Sequence, residues 1–152
     1  MRFLLVDRIL ELETGKRAVA IKNVTLSEDF FAHHFPEDPI MPGMLITESL
    51  VQLADWVIRE CSEFREMGLA SSFERLQFRR FVRPGDQLHL EVEIVNRTAG
   101  RAAIKGKASC DGSVVAVGDF NLAVHPIEAW LSADDARRLY RLICPYAKEE
   151  RQ

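Results

Sequence analysis

Leu88, Leu90, Val92 and Ile94 alternate with His89, Glu91, Glu93 and Val95, the period-two pattern of a strand buried on one face. Extended segments are predicted over Phe73 to Phe81, Gln87 to Asn96, Arg101 to Cys110 and Ser113 to Val124. Pro84-Gly85-Asp86, Thr98-Ala99-Gly100 and Asp111-Gly112 separate them as turns, and the last is a short-hairpin signal. Nearer the start, Ala18, Ala20 and Lys22 alternate with Val19, Ile21 and Asn23, so Ile9 to Val24 reads as two strands about Thr14-Gly15.

One segment has a different period. After Pro42-Gly43, apolar residues from Met44 to Ile58 recur at helical spacing, with no further proline or glycine before Gly68. Glu48, Gln52, Asp55 and Arg59 interrupt them at i, i+4, i+7 and i+11, a narrow polar stripe on one face. A helix this apolar must be wrapped by other elements. Ahead of it, Pro36, Pro39 and Pro42 fix their own φ and cannot donate hydrogen bonds, which makes Ser27 to Gly43 a stiff irregular loop. Antiparallel strands joined by short turns, with one long helix early in the chain, give an α+β fold in which the sheet curls round the helix. Past Pro126, Ser132-Ala133-Asp134-Asp135 is a helix-start signal followed by Arg137, Arg138 and Arg141, and it predicts a short amphipathic helix carrying Leu139, Leu142 and Ile143. Lys148 to Gln152 are expected to be loose.

The length of 152 residues suits a single domain: residues 1–125 as the main body and 126–152 as a helical extension of it. With 20 Lys+Arg against 23 Asp+Glu and a net charge of -3, nucleic acid is not the expected partner. Cys61, Cys110 and Cys144 form no Cys-x-x-Cys pair, and simple burial in a reducing cytoplasm is expected for them. No stretch approaches the ~18 apolar residues that span a bilayer. The opening apolar run breaks at Asp7, short of the ~7–15-residue centre of a signal peptide, so an unexported protein is expected.

The chemistry concentrates between Phe30 and Glu48. A proline-braced loop holds His34, and the helix after it presents Glu48 within its first turns. An imidazole titrates near neutrality and can take a proton, and a carboxyl partly withdrawn from water can give one, so the two form a candidate acid/base pair. Gly43 stands at the helix start, where backbone N–H groups lack intrahelical partners and could hold an oxyanion. Spacing alone fits a hydrogen-bonded structural His34 and a solvated Glu48 better than it fits a catalytic pair. A metal site from Glu28, Asp29, His33, His34 and Glu37 lacks a recognisable ligand spacing, so no metal is expected. His89 and His125 show no partner that would raise them above structural roles.

From about Phe3 to Ala123 the sequence resembles the beta-hydroxyacyl-acyl-carrier-protein dehydratases of bacterial type II fatty acid synthesis, which adopt the hotdog fold. The resemblance rests on Phe3-Leu4-Leu5-Val6-Asp7-Arg8, Lys22-Asn23-Val24, Phe30-Phe31, His34-Phe35-Pro36, Pro39-Ile40-Met41-Pro42-Gly43, Glu48, Gln52, Phe78 and Pro84-Gly85-Asp86-Gln87. It implies a helix wrapped by a curled sheet, sheets continued across a homodimer, and dimers assembled into hexamers. It also implies a catalytic His34 and a catalytic Glu48 from opposite chains, Gly43 as the carbonyl-polarising N–H, and Gln52 in support.

The reaction so implied is removal of water from a (3R)-hydroxyacyl thioester to give the trans-2-enoyl thioester. It needs no cofactor beyond the phosphopantetheine that arrives with the substrate. The partner is an acidic acyl carrier protein, for which Arg75, Arg79, Arg80 and Arg83 form a candidate docking strip. Two other functions fit the fold, a hotdog thioesterase and a non-catalytic acyl-binding subunit. The proline-braced His34 block favours the dehydratase over the first, and the intact His34, Gly43 and Glu48 count against the second. The chain departs from the family by carrying His33 where glycine usually precedes the histidine, and by the segment Ser62 to Ser72.

Overall fold

The computed structural model describes residues 3–145, so the expectation of a loose Lys148 to Gln152 lies outside the described residues. Strands β1 (Arg8–Glu13) and β2 (Arg17–Asn23) form the opening hairpin, and helix α1 spans Gly43–Cys61. Strands β3 (Glu66–Phe78), β4 (Gln87–Thr98), β5 (Arg101–Cys110) and β6 (Ser113–Pro126) follow, and then helix α2 (Ala133–Ile143). The six strands make one antiparallel sheet in the order β1-β2-β4-β5-β6-β3, with α1 against its inner face.

The sheet admits the helix because small residues lie opposite large ones. Leu90 pairs with Ala20 and Ala108, and Val92 with Ala18 and Gly106. A Cβ on Gly106 would come within 3.1 Å of Leu50 Cδ1 on α1, so a side chain there would require that leucine to give by a few tenths of an ångström. Ile46, Leu50, Leu53, Val57 and Ile58 are all buried on that face. Each such burial contributes about 1.5–3 kcal/mol. Together they outweigh a weak helix start, since Pro42 at the N-cap offers no side-chain acceptor, an omission that costs about 1 kcal/mol.

The predicted hairpins stand, and Asp111 and Gly112 both adopt positive φ (49° and 76°), as a tight two-residue turn requires. β4 and β6 each run two residues past their predicted ends, to Thr98 and Pro126, and the larger changes are at β3. The strand expected at Phe73 begins at Glu66, because Glu66 to Ala70 pair with Pro126 to Leu122 although Gly68, Ala70 and Ser71 give the sequence no strand pattern. It also stops at Phe78 rather than Phe81, where Arg79 makes a last N–H bond to the Val115 carbonyl. The irregular loop contains one 3-10 turn, Asp29–Ala32, placed ahead of its prolines.

Helix α2 begins where the sequence indicates, with Ser132 Oγ accepting the Asp135 N–H. Its Tyr140 packs on Trp56 and Phe64 with ring centroids 5.9 and 5.3 Å away, and Arg137 donates to the Glu63 carbonyl at 2.9 Å. These contacts fasten α2 to the C-terminal end of α1. No helix among the described residues is long and apolar enough to cross a membrane.

Candidate active site

The loop before α1 is held by its own backbone. His34 N–H donates to the Phe30 carbonyl at 3.0 Å, Ile40 N–H donates to the His34 carbonyl at 3.0 Å, and Met41 N–H donates to Val82 at 2.8 Å. The His34 ring is fixed as well, with Nδ1 2.8 Å from the Ile40 carbonyl oxygen and Phe35 stacked 4.2 Å away. A carbonyl can only accept, so Nδ1 carries the hydrogen. In the neutral ring the lone pair is then on Nε2. His33 beside it is exposed.

Gly43 opens α1, where N–H groups have no intrahelical acceptor. A Cβ at this position would lie 2.9 Å from the Phe78 ring, so only glycine lets that aromatic side chain cover the helix start.

One turn further along α1, Glu48 Oε1 accepts from Gln52 Nε2 at 3.0 Å. The same nitrogen reaches the Phe3 carbonyl at 3.1 Å, and Gln52 Oε1 accepts the Leu5 N–H at 2.9 Å. Because the Leu5 N–H can only donate, it fixes which end of the amide faces Glu48. Gln52 therefore donates to one Glu48 oxygen and leaves the other uncommitted by this contact.

A groove of about 360 Å³ runs from Glu48 along the polar stripe of α1, walled on the other side by Met67 to Ala70 of β3. At its far end Asp55 pairs with Arg59 at 2.5 Å and accepts the Gly68 N–H at 2.7 Å. Burial pushes the Asp55 carboxyl above its usual range although Arg59 and the Gly68 N–H pull the other way; the charge of Glu48 adds to the rise. The Arg59 guanidinium lies 4.7 Å over the Trp56 ring.

The sequence thus places Glu48 and Gln52 in one groove, whereas His34 and Gly43 are not in its lining among the described residues of one protomer. Arg75, Arg79 and Arg80 are exposed, and Arg83 is ion-paired with Asp38. The loop residues weighed as metal ligands do not gather, for Glu28 is turned to Lys22 and His34 Nδ1 to Ile40. The grouping with ligand proximity among the described residues is instead Asp86, Cys110 and Asp111. Sequence spacing did not identify Ile40 as the acceptor that sets the His34 tautomer, nor Leu139, whose place on the groove wall depends on how α2 docks.

Residues 1–119 match the model of the FabA-like domain family. The 3-hydroxyacyl-[acyl-carrier-protein] dehydratase FabZ of Caldanaerobacter subterraneus subsp. tengcongensis is 49% identical over 118 residues, covering 77% of this chain and 84% of that protein. The FabZ of Halalkalibacterium halodurans is 46% identical over 123 residues, 80% of this chain and 88% of that one. Among solved structures, the dehydratase heterocomplex ApeI:P from Xenorhabdus doucetiae aligns with a TM-score of 0.60 at 19% identity, covering 76% of this chain and 96% of that one. The smu.793 protein of Streptococcus mutans, bound to acetyl CoA, aligns at 0.64 and 12% identity over 83% and 94% of the two chains. At such identities these two establish a shared fold, the hotdog, and the sequence matches establish more: the chain belongs to the FabA-like family, among the FabZ-type 3-hydroxyacyl-[acyl-carrier-protein] dehydratases.

Proposed function

We propose that the protein removes water from (3R)-hydroxyacyl chains carried on acyl carrier protein, giving the trans-2-enoyl thioester, and that it does so in the cytoplasm. Beyond family membership, the observation that carries the mechanism is the Nδ1–H of His34 held by the Ile40 carbonyl, which leaves Nε2 as the base. In this reading Nε2 takes the C2 proton while the Gly43 N–H polarises the thioester carbonyl and acidifies C2. The C3–O bond breaks, C2 and C3 become doubly bonded, and the departing hydroxyl takes a proton from Glu48 to leave as water. Return of the proton from His34 to Glu48 through solvent resets the site. Gln52 aims the Glu48 carboxyl. The thioester itself stabilises the developing negative charge, so the phosphopantetheine of the substrate is the one prosthetic group the reading requires.

The site is shared between two copies. Strand β3 is the longer of the sheet's two edge strands, 13 residues against 6 in β1, exposed on both faces from Ala70 to Arg75, and such an edge is a template for another strand. Pairing β3 with β3 of a second copy would carry His34 of one protomer toward the Glu48 groove of its partner, which accounts for the absence of His34 from that groove within one chain. Three such dimers make the hexamer that the family resemblance implies. The exposed Arg75, Arg79 and Arg80 offer positive charge to the acidic carrier, whereas the charge of Arg83 is offset by Asp38.

The test is to incubate the protein with a 3-hydroxyacyl thioester and follow enoyl absorbance and free thiol together. Enoyl formation without thiol release is expected; thiol release alone would make the protein a thioesterase. Neither signal would leave the non-catalytic acyl-binding subunit. Mixing His34→Ala with Glu48→Gln protein restores activity to some sites if the two residues come from opposite chains, and no rescue after verified subunit exchange would refute the shared site.

A further inference from the structure

Helix α2 lies beyond the residues matched by the family model, yet one of its side chains, Leu139, lines the same groove as Glu48. We infer that Leu139 is the end wall of the acyl groove and sets an upper limit on the length of the acyl chain; this rests on the reading of the groove as the substrate's acyl site. The position of Leu139 follows from its neighbours. Tyr140, next to it, packs on Trp56, and Trp56 and Arg59 belong to the end of the groove farthest from Glu48. Glu48 and Arg59 are eleven residues apart on one face of α1, a span of about 16 Å at the rise of an α-helix. The tail of a bound chain, running from the reacting carbons beside Glu48 along this face, meets Leu139 at that distance.

The wall is firmly built. Ala136, Tyr140, Ile143 and Cys144 are buried, Arg137 bonds the Glu63 carbonyl, and Ser132 caps the helix, so α2 is not free to swing aside to admit a longer chain. The floor there reinforces the limit. Asp55 and Arg59 form a buried ion pair, and alkyl carbons laid against it would remove its remaining hydration without replacing it. Steric closure by Leu139 and the polar floor act in the same direction, toward short and medium acyl chains over long ones.

Trp56 in the groove supplies a binding signal independent of turnover. In protein carrying Trp130→Phe, which leaves Trp56 as the one tryptophan, saturated acyl-pantetheine thioesters of four to sixteen carbons are titrated by fluorescence. Affinity is expected to climb with length, reach a break, and then fall. Leu139→Ala should move the break to longer chains and raise sixteen-carbon affinity relative to eight-carbon by roughly tenfold, the scale on which pocket size discriminates alkyl groups. Leu139→Trp should move it to shorter chains. Affinity climbing evenly to sixteen carbons in the parent, or a break that stays put in both variants, would overturn the wall. Absence of binding at every length removes the acyl groove and the wall with it, whereas a length-dependent break without enoyl formation contradicts the dehydratase reading and leaves the wall standing.

Discussion

Two carboxylates stand two turns apart on the same face of α1, and the fold treats them differently. Glu48 is half-exposed, faces a groove, and takes one hydrogen bond from the neutral amide of Gln52. Asp55 is buried, ion-paired to Arg59, and occupied by the Gly68 N–H of β3. The first keeps an oxygen outside the Gln52 bond, as the proton transfer proposed for it requires, while the second joins helix to sheet. A polar residue on a helix stripe therefore has no fixed role. What separates reagent from fastener is how many of its hydrogen-bonding positions the fold has already filled.

The largest effect that can break this comparison is catalytic. Glu48→Gln is expected to lower turnover by about 10²–10⁴-fold, as His34→Ala should, with the urea midpoint nearly unchanged. Steady-state rates and equilibrium unfolding on the same preparations check it. If Glu48→Gln unfolds early and the folded fraction turns over normally, Glu48 is a fastener after all. Asp55→Ala should do the reverse. It leaves the Gly68 N–H and the Arg59 guanidinium without their acceptor, at a cost of about 1–3 kcal/mol in urea unfolding for the stranded N–H alone.

Gln52 sits between the two cases, because it both aims Glu48 and holds the N-terminal segment through Phe3 and Leu5. Gln52→Met should cost about 1 kcal/mol of stability per bond lost. Turnover should fall by roughly tenfold, since a loosened carboxyl spends less time aligned. A change in one readout without the other would show that Gln52 has a single role.

The sequence made one half of this comparison legible. The spacing of Glu48, Gln52, Asp55 and Arg59 gave the stripe, and the proline-braced loop gave His34, because helical period and proline chemistry are local properties. What separates Glu48 from Asp55 is contact with Gly68 on β3, and that strand segment carried no alternation to reveal it. The Ile40 carbonyl on His34 is likewise a backbone group that no residue letter encodes. Leu139 could be placed on a helix but not against a groove, since that depends on how α2 docks through Tyr140.

The smallest effect distinguishes the causes acting on Asp55. Burial raises its affinity for a proton, the Arg59 charge and the Gly68 N–H lower it, and burial prevails. A carboxyl that binds its proton more tightly folded than unfolded gives its full stabilisation below its unfolded pKa, near 3.8, and loses it as pH rises through the higher folded value. The unfolding free energy of the parent minus that of Asp55→Asn, which cannot titrate, should therefore decline as pH is raised from below 3.8. A difference that grows with pH would mean that the Arg59 pairing outweighs desolvation. Because the charge of Glu48 adds to the rise at Asp55, the same series in a Glu48→Gln background should begin its decline at the same pH, complete it at lower pH, and fall by less in total. That shift would tie the two carboxylates electrostatically along the helix: the proton held by the buried one would then depend on the charge of the one left free to react.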